Sequence, residues 1–260
     1  MRRGLFSAKA EKYQRYRWDY SPRAVETIFQ LVQLTPASCV VDLGAGPGNL
    51  AKHFIGRVGW VYLVEPDDEM RRCARQALGM HSGCSFVAAC AEETGLPGGC
   101  ADLVTAAQAI GWFDPQPARA EIVRILKPGG WLAVLRNYGT DENLNASIEA
   151  IYTPENGVDP GVLAGVNNRR AAYPISFYYG SEDFQRFTFP FVNVVSREQF
   201  IGGLATASYV PEGEHPLYPR FEAAAGEVFE RFSRDGLLYN QVETELYLGV
   251  AVQQGVETSI

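Results

Sequence analysis

Cysteine and histidine are both scarce in this chain of 260 residues. Cys39, Cys73, Cys84, Cys90 and Cys100 are odd in number and contain no C-x-x-C pair. That excludes a disulfide-stapled scaffold and points to reduced, mostly packed thiols. The three histidines, His53, His81 and His215, are scattered, and none stands at ligand spacing from a cysteine, so no metal site is expected. No run approaches the roughly 18 apolar residues that a membrane span needs. Met1-Arg2-Arg3 leads into Gly4-Leu5-Phe6-Ser7-Ala8-Lys9 without an apolar stretch behind the charges, unlike a secretory signal. Positive charge is in deficit: the net charge is −7 and the pI about 5.1, which argues against a general nucleic-acid binder. Internal repeats and low-complexity tracts are missing too. What is there is 47% hydrophobic and 20% charged, ordinary for a soluble globular protein with one sizeable core. The expectation is a cytoplasmic protein, monomer or homodimer, with neither membrane nor nucleic acid as partner.

One stretch stands out against that background. Val40-Val41-Asp42-Leu43-Gly44-Ala45-Gly46-Pro47-Gly48-Asn49 is followed by Trp60-Val61-Tyr62-Leu63-Val64-Glu65. Cys39-Val40-Val41 is short and apolar on both sides, as a buried parallel strand requires. Gly44, Gly46 and Gly48 remove side chains where a ligand must come close. Pro47 suits the first position of a helix, where its missing N–H loses no partner. Residues 60–64 read as the next strand, with Glu65 at its carboxyl end. Ligands of open α/β sheets bind outside the carboxyl ends of strands, and an acidic residue about twenty positions beyond the turn grips a ribose diol.

Two cofactor classes share this layout. The dinucleotide fingerprint is G-x-G-x-x-G, whereas the spacing here is G-x-G-x-G and the third glycine place holds Asn49. A pyrophosphate on the helix N-terminus is also unfriendly to a nearby carboxylate, and Asp42 stands just before the turn. A carboxylate there suits a cationic ligand, such as one with a free α-amino group and a sulfonium. A nicotinamide dehydrogenase is therefore disfavoured. These residues resemble V-[LV]-D-x-G-x-G-x-G, the first motif of the class I S-adenosylmethionine (SAM) methyltransferases.

The resemblance extends further. Residues 90–97 (C-A-E-E-T-G-L-P), 101–109 (A-D-L-V-T-A-A-Q-A) and 111–114 (G-W-F-D) are similar to the later motifs of the small-molecule branch, which includes trans-aconitate-methyltransferase-like enzymes. Leu126-Lys127-Pro128-Gly129-Gly130, and residues 206–211 and 244–249 near the C-terminus, resemble that branch too. The resemblance implies SAM as cofactor, S-adenosylhomocysteine as product and a small-molecule methyl acceptor. It implies that Asp42, Gly44, Ala45 and Gly46 line the methionine moiety and that Glu65 accepts both ribose hydroxyls. Pro66 and Met70 would flank the adenine, Ala91 would offer its N–H and Glu92 would accept the exocyclic amine. Gln108 would end its strand at the methionine. Tyr13-Gln14-Arg15-Tyr16-Arg17 resembles the family's Y-x-x-Y-R segment, placing Tyr13 and Arg17 over the cofactor. For Met70 a core role, for Glu92 a helix cap, and for the N-terminal segment an amphipathic packing helix remain open.

Strand and helix patterns alternate after residue 38, which implies right-handed crossovers and a parallel sheet. Strands are expected near 39–43, 60–64, 85–89, 102–106 and 131–135, with a helix through Leu50 and Phe54 and others over 67–78 and 117–126. Ser21 should cap a helix running to Leu34. After Tyr138 the rhythm changes. A helix from about 141 gives way to a Pro/Gly/Asn-rich stretch, then a strand over 187–192 limited by Pro190, helices from 196 and near 217–233, and a last antiparallel strand over 243–250. The fold class is α/β: a doubly wound Rossmann-like sheet, mostly parallel, with an antiparallel last strand and a helical cap after the fifth strand. A single domain, 1–260, would comprise an N-terminal helical lid (1–35), a cofactor-binding core (36–138) and substrate-side insertions (139–183 and 196–238).

One departure bears on mechanism. The family often has histidine before Trp112-Phe113-Asp114; this chain has Gly111. Methyl transfer from a sulfonium is an in-line displacement that mainly needs alignment and exclusion of water; a base is needed only for a nucleophile that arrives protonated. Trp112, Tyr16 and His215 are the catalytic candidates. Arg136, Arg169 and Arg170 would partner a carboxylate acceptor, or simply face solvent, while Trp112, Tyr173, Phe177, Tyr178 and Tyr179 would frame a flat acceptor or pack in the core. Gly111 also motivates a second reading: a non-catalytic SAM- or nucleoside-binding protein that keeps the cofactor site.

Overall fold

The computed structural model describes residues 7–79, 81–171 and 173–252. Arg2 and Arg3, and the side chains of Arg169 and Arg170, lie outside what is described.

Seven strands form one sheet: β1 (Cys39–Leu43), β2 (Trp60–Val64), β3 (Cys84–Val87), β4 (Ala101–Ala107), β5 (Leu126–Gly139), β6 (Phe184–Ser196) and β7 (Leu237–Val250). Their order is β3-β2-β1-β4-β5-β7-β6. The first five run parallel; β7 inserts antiparallel between β5 and β6. Successive residues of the central strands face opposite layers. Val40, Leu103, Ala133 and Leu135 pack with α2 (Pro22–Val32) and α3 (Asp68–Leu78) on one face. Val41, Val104, Leu132 and Val134 pack with α4 (Pro115–Ile125) on the other. This two-sided burial is why the strands read as continuous apolar runs. The order reverses between β1 and β4, so the chain leaves those neighbours in opposite directions and opens a crevice at their carboxyl ends.

A third apolar cluster forms the cap above that crevice. It unites α5 (Glu142–Ala150), α8 (Arg197–Leu204) and α9 (Tyr218–Phe232) through residues such as Leu144, Phe200, Phe221 and Phe229, together with Val195 of β6 and Leu238 of β7. The expected N-termini are chemically explicit here. Ser196 and Gln199 form a reciprocal capping box, and Asp141 accepts from the backbone N–H groups of Asn143 and Leu144.

Several expectations need correction. The helix through Leu50 and Phe54 is a run of turns around a short 3-10 segment, Ala51–His53. It lies between Gly48 and Gly56, both at positive φ, which leaves too short a span for an α-helix to propagate. Ser21 sits at the N-cap of α2, but its side chain makes no capping bond. The helix ends at Val32, where Gln33 turns left-handed. The Pro/Gly/Asn-rich stretch contains α6 (Pro160–Ala171), opened by Asp159, whose Oδ1 accepts from Gly161 and Val162 N–H. A short α7 (Ser176–Tyr179) follows. The strand expected over 187–192 runs the length of β6, because Pro190 lies on the outermost strand and, among the described residues, β6 pairs only with β7.

Candidate active site

The crevice at the β1/β4 switch point opens into a cavity of about 880 Å³, near the top of the range for ligand clefts. Asp42, Gly44, Ala45 and Gly46 line it, as do Glu65, Met70, Gln108, Tyr13, Tyr16, Arg17 and Trp112. Parallel register sets Asp42 of β1 directly beside Thr105 of β4. The Thr105 hydroxyl donates to Asp42 Oδ1 at 2.6 Å. Asp42 is only 1% exposed, and burial pushes its carboxyl up to about 7; Thr105 pulls it down and the nearby Glu65 charge pushes it up. Glu65 is also raised, first by burial. Its two oxygens accept from Gly46 N–H at 2.9 Å and Asp67 N–H at 3.0 Å, so the carboxylate braces the glycine turn from the next strand.

The three glycines do different work. A Cβ on Gly44 would stand 2.7 Å from Ala109 Cβ, and one on Gly48 would stand 2.4 Å from Leu78 Cδ1. Those two serve the packing of the turn against its neighbours. Gly46 has φ +54°, and a Cβ there meets no atom within 4 Å. It is the glycine that leaves room in the cleft. Gly46→Ala is expected to cost about 1–2 kcal/mol of backbone strain but to weaken S-adenosylhomocysteine binding by at least about tenfold. Paired thermal melts and calorimetric titrations check this, and unchanged affinity would remove Gly46 from the site.

Gln108 closes β4 at φ +55°, an uncommon conformation for a residue with a side chain. Gln108 is held there by its N–H to Leu135 O at 2.9 Å and its Nε2 to Asn137 O at 2.7 Å. Strain of this kind concentrates at functional sites.

The expected adenine-side residues separate. Met70 lines the cavity and packs with Ala10 and Cys73. Pro66, Ala91 and Glu92 are not among the lining residues, and Glu92 Oε1 accepts from Asp114 N–H at the start of α4 at 2.8 Å. His215 lies in the turn before α9, where its Nδ1 accepts from Leu217 N–H at 3.2 Å; it does not line the cavity either. Phe177, Tyr178 and Tyr179 pack with the α4 layer, and the Tyr173 ring packs against Phe177 at a tilt of 56°; only Trp112 of the proposed aromatic frame reaches the cleft. Arg136 does line it, with its guanidinium 5.8 Å from the Tyr247 ring centroid.

The N-terminal helix α1 (Ala10–Tyr16) roofs this cavity. Lys9, 3% exposed, donates to Ala207 O at 2.5 Å and Val210 O at 2.6 Å, and burial lowers its ammonium to about 8. Tyr16 hydroxyl donates to Glu198 Oε1 at 2.7 Å; that bond raises the phenol and keeps it protonated, the wrong state for a base. The Tyr16 ring lies so close to α8 that a Cβ on Gly202 would stand 2.5 Å from it. By contrast α2 buries Ala24, Val25 and Ile28 in the sheet layer, which confines any moving roof to the segment before it. Bound S-adenosylhomocysteine is expected to slow amide hydrogen exchange over residues 10–17, as lids do when they close over a ligand; equal exchange with and without ligand would exclude a lid.

Sequence reasoning missed the far wall. Asn137, Gly139, Asn145, Ile148, Tyr152, Phe200, Leu204, Tyr209 and Asn240 also line the cavity. The face of α5 was legible from the Asp141 cap and the spacing of Asn145 and Ile148. Nothing local to Asn240 signals its place.

Residues 41–134 match the family described as Methyltransferase domain. A 134-residue stretch is 36% identical to an uncharacterized methyltransferase of Mycobacterium tuberculosis, covering 51% of this chain and 51% of that protein. A ubiquinone/menaquinone biosynthesis C-methyltransferase of Psychromonas ingrahamii is 38% identical over 103 residues, covering 37% of this chain and 41% of its own length. The chain thus spans about half the length, or less, of the curated relatives it matches. The solved structure of a proposed type II methyltransferase from Anaeromyxobacter dehalogenans superposes with a TM-score of 0.61 at 20% identity, covering 92% of this chain and all of that one; this likeness shows the fold. The stretch that matches the Methyltransferase domain family, residues 41–134, thus carries the β1 turn, the strands β2 to β4 and most of β1 and β5 of a Rossmann-like sheet.

Proposed function

We propose that this chain transfers a methyl group from SAM to an oxygen or nitrogen nucleophile of a small molecule. The observation that carries the reading is convergence: Asp42, the Gly46 turn, Glu65 and Gln108 meet in one cavity that continues past Trp112 to the cap. The residues fit the cofactor. A buried carboxylate beside the turn suits a cationic amino-acid moiety, an acid at the end of β2 suits a ribose diol, and the glycine with open space leaves room between them. When bound, SAM supplies a methyl group already activated by its sulfonium.

The protein's part is to bind, orient and exclude water. Asp42 and the backbone of Gly44–Gly46 would hold the methionine end, Glu65 the ribose hydroxyls, and Met70 one face of the adenine. Tyr13 and Arg17 would cover them from α1. Proximity and orientation contribute up to roughly 7–11 kcal/mol to such a reaction. No histidine, lysine or cysteine lines the cavity among the described residues, in keeping with a site that uses no histidine base.

Gly111 favours one rival, a protein that binds SAM without transferring its methyl. Methyl-labelled SAM offered with a panel of small amines, phenols and carboxylic acids separates the two. Transfer to at least one acceptor is expected, at a rate that His215→Ala leaves nearly unchanged across the pH range. Binding of SAM with no transfer to any acceptor favours the rival, and a large loss of rate in His215→Ala would reinstate a histidine base.

A further inference from the structure

The chain between α1 and α2 runs through Trp18, Asp19, Tyr20 and Ser21, and it is stitched to the carboxyl ends of the strands. Trp18 and Tyr20 line the cavity, whereas the Asp19 carboxylate lies against the turns that follow Gly48. Its Oδ1 stands 2.8 Å from His53 Nε2 and its Oδ2 2.8 Å from Lys52 Nζ. Two further stitches come from the sheet. Asn137 Nδ2 donates to Asp19 O at 2.9 Å. Ser21 N–H donates to Thr244 Oγ1 at 3.0 Å, and the Thr244 hydroxyl donates in turn to Asn137 Oδ1 at 2.6 Å. The antiparallel register of β5 and β7 sets Asn137 opposite Thr244. Both ends of the Asn137 carboxamide are therefore assigned by their partners. A carbonyl such as Asp19 O only accepts, so the nitrogen faces it, and Thr244 Oγ1 keeps a proton to give to the oxygen.

The main chain of the same residue serves the cofactor side. Asn137 O accepts from Gln108 Nε2 at 2.7 Å, one of the two bonds that hold Gln108 at φ +55°. Asn137 itself lines the cavity. One residue thus joins the root of the α1 roof to the strained end of β4.

We propose that Asn137 is a positioning residue of the cofactor site: its carboxamide, itself held by Thr244, fixes residues 18–21 so that Trp18 and Tyr20 stand against the bound cofactor and α1 closes above them. The inference rests on the methyl-transfer reading for the identity of that ligand. A wall segment tied down before the ligand arrives loses less freedom on binding, and that gain appears as affinity. Without the ties the segment must be ordered at the expense of binding, and the roof opens more often, which shows chiefly in the dissociation rate.

The test turns on Thr244, which is fully buried and is not among the residues lining the cavity, so that its replacement reaches the ligand only through Asn137 and Ser21. Thr244→Val keeps the shape and removes the hydroxyl. It is expected to weaken S-adenosylhomocysteine binding at least fivefold, mostly as faster dissociation, and to abolish the ligand-induced slowing of amide exchange over residues 10–17. Thr244→Ser restores the hydroxyl and is expected to stay within twofold of wild type in both readouts. Asn137→Ala is expected to cost at least as much as Thr244→Val, and the double variant no more than twofold beyond Asn137→Ala, because the two residues act in one chain. Unchanged affinity and exchange in Thr244→Val would overturn the proposal, as would fully additive losses or a serine variant as weak as the valine one. Exchange that quickens over β1–β4 as much as over residues 10–17 would also overturn it, by making the role one of general stability. If wild-type protein binds no S-adenosylhomocysteine, the methyl-transfer reading falls and this inference with it; if it binds and Thr244→Val binds equally well, only the role of Asn137 falls.

Discussion

Replacing Glu65 by alanine is expected to weaken S-adenosylhomocysteine binding by at least about tenfold. Glu65 is 3% exposed and lines the cavity, and each hydrogen bond to a charged acceptor is worth about 1.5–3 kcal/mol. One such bond corresponds to roughly a tenfold change or more, and two ribose hydroxyls double the stake. The same carboxylate accepts from Gly46 and Asp67 N–H, so the alanine variant also leaves two backbone donors without their acceptor. Glu65→Gln separates the effects: one amide oxygen still accepts, but the charge is gone and only one side of the diol keeps a partner. Affinity should fall in the order wild type, glutamine, alanine. A folded alanine variant with unchanged affinity would refute the ribose assignment.

Affinity for SAM is expected to drop by up to about tenfold for each pH unit below about 7, and Asp42→Asn is expected to abolish that slope. Burial holds the Asp42 carboxyl at about 7 against an ordinary 3.8, with Thr105 and the Ala51 backbone pulling the other way and Glu65 adding to the rise. A cationic ligand favours the ionised form, so binding below pH 7 must first remove a proton. The stability of the free protein moves oppositely. A carboxyl raised on folding binds more protons folded than unfolded between about 3.8 and about 7. Its contribution is complete at the acid end of that window and is lost as pH rises through 7. Ligand affinity and apo stability should therefore slope in opposite directions across this range, and both slopes should flatten in Asp42→Asn. Calorimetry in buffers of different ionisation enthalpy counts the proton released at pH 6. Affinity independent of pH from 5.5 to 8 would detach Asp42 from the cationic end of the ligand.

The half of the site built by β1 and β2 was legible because its signals are local. Short two-sided apolar runs, glycines and carboxylates at strand ends are written within about 25 residues of each other. Helix starts at Asp67, Asp141 and Ser196 were readable for the same reason, since a cap is a contact between near neighbours. The glycine turn was read too uniformly: all three glycines resemble ligand contacts in sequence, yet Gly48 does not line the cavity and answers to Leu78, while Gly44 both lines it and packs against Ala109. Pattern alone also could not divide core aromatics from cleft aromatics. Tyr178 and Tyr179 belong to the α4 layer, and Trp112 reaches the cavity. The place of Asn240 on the far wall was illegible for a topological reason. Asn240 approaches Gly139 because β7 pairs antiparallel with β5, with Gly139 opposite Val242. A contact separated by about a hundred residues leaves no trace in local periodicity.

The most direct test is isothermal titration of the protein with S-adenosylhomocysteine and, in parallel, with NAD. The carboxylate of Asp42 beside the turn, Asn49 in place of the third glycine and Glu65 at the end of β2 predict saturable binding of S-adenosylhomocysteine at one site per chain, lost in Glu65→Ala, and no saturable binding of NAD. Saturable binding of NAD with none of S-adenosylhomocysteine would contradict the methyl-donor site.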